Sequence, residues 1–195
     1  MMRRMRGRTR MTPLKRAVLV HGYQGTPLHG WRPWLREELV LRGWQVSIPA
    51  MPNPDAPKCD EWVKTISREV GAPSPICALV GHSLGCIAIL RYLERLPASA
   101  KVGSVILVAG FGHDLGNPAL SSFSNPPLNW AAIRSHAPRV ILLHSDNDPF
   151  IPLSEGYFMQ KELGAELIVQ KGMGHFSSSE GTKRLPIVLE RLLEK

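Results

Sequence analysis

The run Ile76-Cys77-Ala78-Leu79-Val80-Gly81-His82-Ser83-Leu84-Gly85-Cys86-Ile87-Ala88-Ile89-Leu90 decides how this chain is read. Residues 76–80 are uninterrupted apolar sequence and read as a buried strand. Residues 84–96 read as a helix. Between them lies the pattern G-x-S-x-G. A turn that tight holds its serine in a strained backbone conformation, and the positions two before and two after must lack side chains or they would collide. The strain pushes Ser83 Oγ clear of the backbone, while the Leu84 N–H points into the same space from the start of a helix. The bare pentapeptide is weak, because a chain rich in Gly and Ser meets it by chance. The strand before it and the helix after it give it weight over a glycine-rich turn that holds a phosphate or nothing.

A serine hydroxyl is a poor nucleophile without a base. Around an elbow of this kind the chain order is nucleophile, acid, histidine. The late histidine is His175 in Gly172-Met173-Gly174-His175-Phe176, after the strand-like Glu166-Leu167-Ile168-Val169 and before a last helix. His21, His29, His82, His113, His136 and His144 do not fit that order. For the acid, the strand-like Arg139-Val140-Ile141-Leu142-Leu143-His144 leads into Ser145-Asp146-Asn147-Asp148-Pro149-Phe150-Ile151-Pro152. The spacing Asp148-x-x-Ile151-Pro152 matches a turn that follows this strand in many α/β-hydrolases, so Asp148 is the first choice. Asp146 reads as a turn-shaping residue. Asp114, after the preceding strand, is an outside candidate.

Acyl transfer also needs N–H donors aimed where a carbonyl oxygen turns negative. Leu84 would supply one. The second is expected from the turn after the first strand, Ala17-Val18-Leu19-Val20, which runs into His21-Gly22-Tyr23-Gln24-Gly25. Tyr23 is the preferred donor and Gln24 the next. Read alone, His21-Gly22 is a simple strand end.

With these pieces in order, the chain resembles the small α/β-hydrolases related to retinoblastoma-binding protein 9, a group of serine hydrolases, from about Lys15 onward. The resemblance rests on His21-Gly22, His29-Gly30-Trp31-Arg32-Pro33-Trp34-Leu35, Met51-Pro52-Asn53-Pro54, Gly81-His82-Ser83, Asn125-Pro126-Pro127-Leu128-Asn129-Trp130, Asp146 to Pro152 and Gly174-His175-Phe176. It implies a Ser-Asp-His triad carried by Ser83, Asp148 and His175. The namesake's L-x-C-x-E peptide has no counterpart, since the segment before the elbow strand is Val70-Gly71-Ala72-Pro73-Ser74-Pro75. A retinoblastoma-type partner is therefore not implied.

The chain's 195 residues suffice for one domain with a real core. Strand-like segments near 16–21, 44–48, 76–80, 103–109, 139–144 and 165–170 alternate with helix-like ones near 30–42, 57–70, 84–96, 129–135, 153–163 and 181–193. That alternation predicts an α/β fold, a minimal α/β-hydrolase of about six mostly parallel strands with helices on both faces. About thirty residues separate the fourth and fifth strands, the length of a loop with a short helix, so no cap domain is expected. No apolar run is long enough for a membrane span.

The formal charge of +8 suggests nucleic acid until it is located: Arg3, Arg4, Arg6, Arg8, Arg10, Lys15 and Arg16 carry seven of the eight, with no acid among residues 1–16. Residues 1–14 are therefore expected to be a disordered basic arm, or the product of an upstream start codon with Met11 the true start, and residues 15–195 a single domain. A nucleic-acid partner is not expected, because no aromatic interleaving or basic face accompanies the charge. Cys59, Cys77 and Cys86 lack metal spacing and read as core residues. An odd count without a secretion signal fits the cytoplasm.

The expected reaction is hydrolysis of a small ester, thioester or activated amide through an acyl-Ser83 intermediate, with neither metal nor organic cofactor. Trp31, Phe111, Phe150 and Phe176 are candidates for an apolar substrate pocket, and each reads equally as core. The loop from Gly110 to Trp130 is expected to wall the site. Two alternatives stand: a non-catalytic binding module that keeps the fold, or an acyltransferase that uses the same triad.

Overall fold

The computed structural model describes residues 14–194. Six strands form one sheet: β1 (Arg16–Val20), β2 (Gln45–Ser47), β3 (Cys77–His82), β4 (Ser104–Val108), β5 (Val140–Ser145) and β6 (Glu166–Gln170). Their order is β2-β1-β3-β4-β5-β6, and every pairing is parallel. A parallel sheet covered on both faces needs strands that are largely apolar and buried, and β1, β3, β4 and β5 are buried along nearly their whole length.

The helices are α1 (Arg32–Leu41), α2 (Cys59–Val70), α3 (Leu84–Glu94), α4 (Ser121–Ser124), α5 (Trp130–His136), α6 (Leu153–Leu163) and α7 (Pro186–Leu193). Alternation along the strands sorts the core into two halves. Ala17, Leu19, Ala78, Val80, Ile106 and Val108 face α1 and α7. Val18, Val20, Leu79, Val105, Leu107 and Leu142 face α2, α3, α5 and α6. No helix among the described residues is long and apolar enough to cross a membrane.

The expected elements are present, with shifted ends. The strand before the elbow continues through Gly81 and His82. The last helix starts at Pro186 rather than near 181, with the proline in the first turn where its missing N–H costs nothing. The stretch from Gly110 to Trp130 holds a single 3-10 turn, Pro118–Leu120, and the one-turn α4. Glu155 anchors its start by accepting the Gly112 N–H at 2.8 Å, and the Phe123 carbonyl accepts from Arg91 Nε at 2.7 Å.

The order of strands fixes where a site can form. The chain leaves β1 toward β2 on one side and returns to β3 on the other, so the loops after β1 and β3 diverge and leave a crevice at their carboxyl ends. Two glycines close the turn into α3 against β1. A Cβ on Gly85 would lie 2.5 Å from the Val20 carbonyl oxygen and 2.7 Å from that of His21. One on Gly81 would lie 2.8 Å from the Cys86 backbone. Gly85→Ala should therefore force helix and strand apart. The expected cost is about 2 kcal/mol, a fall of roughly 4–8 °C in Tm by differential scanning calorimetry.

Candidate active site

Ser83 sits between β3 and α3 with φ 54° and ψ −122°, a conformation that side chains rarely adopt. It lines a cleft of about 180 Å³ together with Gly22, Tyr23, Arg32, His82 and His175. Gly22 is required beneath the serine, since a Cβ there would lie 2.9 Å from the Ser83 Cβ.

The structure brings Asp148 and His175 together. Asp148 Oδ2 lies 2.8 Å from His175 Nδ1, and the acid's side chain is only 1% exposed. The other carboxylate oxygen accepts the Phe150 and Ile151 N–H groups at 2.9 and 3.0 Å. A carboxylate only accepts, so Nδ1 carries the proton and the Nε2 lone pair is left for another donor. Ser83 and His175 share the cleft without a hydrogen bond between their side chains among the described residues. Such contacts are often loose before substrate arrives. Asp146 instead accepts the Gly172 N–H at 2.8 Å, and Asp114 accepts the Gly116 N–H at 2.9 Å within its own loop.

Four consecutive amides hold the histidine turn, and each meets a side-chain acceptor. Gly172 N–H donates to Asp146, Met173 N–H to Ser145 Oγ at 3.0 Å, and Gly174 N–H to Asn147 Oδ1 at 2.8 Å. His175 N–H donates to Glu180 at 2.8 Å, and Glu180 also accepts from the Ser177 N–H and hydroxyl. Burial pushes the Glu180 carboxyl up, but these donors outweigh it and hold it below its ordinary value. Gly174, at φ 54°, leaves room for that carboxylate, because a Cβ there would meet Glu180 Oε1. Sequence reading missed Ser145, Asn147 and Glu180. The signal was a dense run of short polar side chains beside the acid.

The turn after β1 is propped from the other side. The Gln24 N–H donates to the Pro54 carbonyl at 2.9 Å, which removes it as an oxyanion donor. The Tyr23 N–H has no acceptor among the described residues, and Leu84 opens α3, where an amide has no partner within the helix. His21 Nδ1–H donates to the Gly22 carbonyl at 2.9 Å, and its Nε2 accepts the Met51 N–H at 3.1 Å. Trp62 Nε1–H reaches the Pro52 carbonyl at 2.8 Å.

The aromatic candidates divide. Phe150 is 68% exposed, with its ring centroid 5.2 Å from that of His175. Trp31 and Phe111 are core side chains and do not line the cleft. Phe176 borders the cleft, yet its side chain is buried in the half-core under α1 and α7. The loop from Gly110 to Trp130 contributes no residue to the cleft wall, contrary to expectation. The basic arm, apart from Leu14, lies outside the described residues.

Residues 17–194 match the family described as serine hydrolase. The chain is 34% identical to YdeN of Bacillus subtilis (strain 168) over 179 residues, covering 91% of this chain and 94% of that one. It is 31% identical to the serine hydrolase RBBP9 of Rattus norvegicus over 182 residues, covering 91% of this chain and 95% of that one. The crystal structure of the B. subtilis ydeN gene product superposes with a TM-score of 0.87 at 35% identity, over 91% of this chain and 96% of that one. Est1E from Butyrivibrio proteoclasticus shares the fold, with a TM-score of 0.68 at 14% identity over 92% of this chain and 85% of that one.

Three histidines around the site are held neutral. Burial lowers His82 well below its ordinary value, with Arg32 acting in the same direction. Burial lowers His144 to about 4, although Asp148 and Glu155 pull it upward. His21 is lowered mainly by burial. The unfolded chain takes up protons near pH 6.5 that the fold refuses. Stability is therefore full above that pH and falls as the pH drops toward 4. Thermal melts at pH 7.5, 6.0 and 5.0 should show a steady fall in Tm across this window.

Proposed function

Because the chain belongs to the serine hydrolase family, we propose that Ser83 is its nucleophile, His175 its base and Asp148 the acid that orients the base. The observation that carries this reading is the 2.8 Å contact of Asp148 with His175, which lines the cleft together with the strained Ser83.

Ser83 Oγ attacks the carbonyl carbon of a small ester, thioester or activated amide, and its proton passes to His175 Nε2. Asp148 stabilises the imidazolium without taking the proton itself. The carbonyl oxygen, now negative, accepts from the Tyr23 and Leu84 N–H groups. As the tetrahedral adduct collapses, the leaving group departs with the proton from His175. A water then gives its proton to His175, attacks the acyl-Ser83, and releases the acid and the free serine. Phe150, exposed beside His175, offers an apolar surface to the substrate.

The bonding of Asp148 sharpens the test. In Asp148→Asn the amide oxygen must stay on the Phe150 and Ile151 N–H groups, so the amide nitrogen faces His175. That forces the ring proton onto Nε2, where it blocks acceptance of the serine proton. Turnover of a simple ester should fall by about 10³–10⁴, with the fold intact by circular dichroism. Asp146→Asn keeps an oxygen for the Gly172 N–H and should cost less than about tenfold. Ser83→Ala should abolish labelling by a fluorophosphonate probe and cut turnover by about a thousandfold or more. Labelling that persists on another serine would defeat the reading.

A further inference from the structure

One strong charge in the cleft has no counterpart. Arg32, the first residue of α1, is only 4% exposed, and it borders the cleft beside Ser83, His82 and His175. A guanidinium carries five N–H donors. Here Nη1 reaches the His82 Nδ1 at 3.4 Å and Nη2 the Thr26 carbonyl at 3.3 Å, both long and both to neutral acceptors. Nε is buried and has no acceptor among the described residues. No Asp or Glu lines the cleft, and Arg32 makes no ion pair among the described residues.

The tautomers of the neighbours follow from their bonds. The His175 carbonyl can only accept, so His82 Nε2–H donates to it at 2.7 Å. Nδ1 of His82 is then a lone pair turned toward Arg32, which keeps that ring neutral. Burial alone pushes Arg32 down to about 10, still charged at neutral pH, with no acid to draw it back up. A buried cation next to a reaction centre, with donors to spare, is the pattern of a site that meets its counterion in the ligand.

We propose that Arg32 is a specificity-determining residue that binds an oxyanion, a carboxylate or phosphate, borne by the substrate a few bonds from the carbonyl that Ser83 attacks. The inference rests on the reading of Ser83 given above. The cleft's volume of about 180 Å³ suits a short chain, such as the half-ester of a small dicarboxylic acid. The N–H groups of Arg32 that His82 and Thr26 leave uncommitted hold the anion, and the acyl carbon then lies over Ser83. The anion also offsets the charge that the fold leaves bare.

The test compares two esters of similar shape, monoethyl succinate and ethyl levulinate, which differ in that a methyl ketone replaces the carboxylate. In a pH-stat assay the wild type should favour the charged ester in kcat/KM by at least about tenfold, the worth of one charge-assisted pair. Arg32→Gln should erase that preference, chiefly by raising KM for the charged ester, and Arg32→Lys should restore part of it. Equal losses on both esters would mean that Arg32 only supports His82, and would overturn the proposal. Calorimetric titration of the wild type with succinate, and separately with inorganic phosphate, reads binding without catalysis and tells the two anion sources apart. It also serves if Arg32→Gln does not fold. Binding of neither ion would likewise overturn the proposal. Anion binding that is lost in Arg32→Gln, in a protein whose Ser83 is not labelled and which turns over neither ester, would sink the reading of Ser83 and with it the substrate proposed here.

Discussion

The approach of α3 to the end of β1 is the constraint on which the rest depends. Gly85 lies so close to the Val20 and His21 carbonyls that no side chain fits between them. That contact fixes the elbow against the His21–Gly25 turn and brings the first turn of α3 to the crevice where the strand order reverses. Gly81 and Gly22 serve the same closure from the other sides. The strain at Ser83 persists because strand, helix and neighbouring turn each determine its position separately.

Around this rigid centre the remaining groups arrive on loops, and each loop is held by a different device. Residues 21–25 are tied to residues 51–55 through His21, Gln24 and the Tyr23 hydroxyl, with Trp62 holding Pro52 from beneath. The acid turn and the histidine turn are tied to each other through Ser145, Asp146 and Asn147. His82 joins the two systems, since it sits in the elbow and donates to the His175 carbonyl. The residue that precedes Ser83 thus gauges the distance between the elbow and the histidine turn.

Much of this was legible in the sequence because it rests on local chemistry. Apolar runs gave the strands, the G-x-S-x-G pattern located the turn, and the Asp148-x-x-Ile151-Pro152 spacing pointed to the carboxylate that meets His175. What escaped depends on tertiary placement. Trp31 and Phe111 are large and apolar, and nothing in their spacing says that they face the sheet rather than the cleft. The last helix reads from about residue 181, but it starts only at Pro186, and residues 177–182 fold back around Glu180, whose partners are set by the path of the chain. Arg32 looks like any arginine at a helix start. Its surroundings are set by neighbours far away in sequence, His82 above all, and it has no ion-pair partner among the described residues.

The side-chain anchoring of residues 172–175 has a consequence for how the molecule fails. Three of these four amides bond to exposed side chains, Asp146, Asn147 and Glu180, outside the ladder of the sheet, and β6 before them is an edge strand. Water can replace such acceptors one at a time, so this turn belongs to the parts of the protein that open locally at a small fraction of the global cost. The groups that place the histidine can let go while six strands and the helices stay intact. Loss of the site and loss of the fold are then separate events with separate midpoints. A molecule that still looks native by its helical signal can already have lost the alignment of His175.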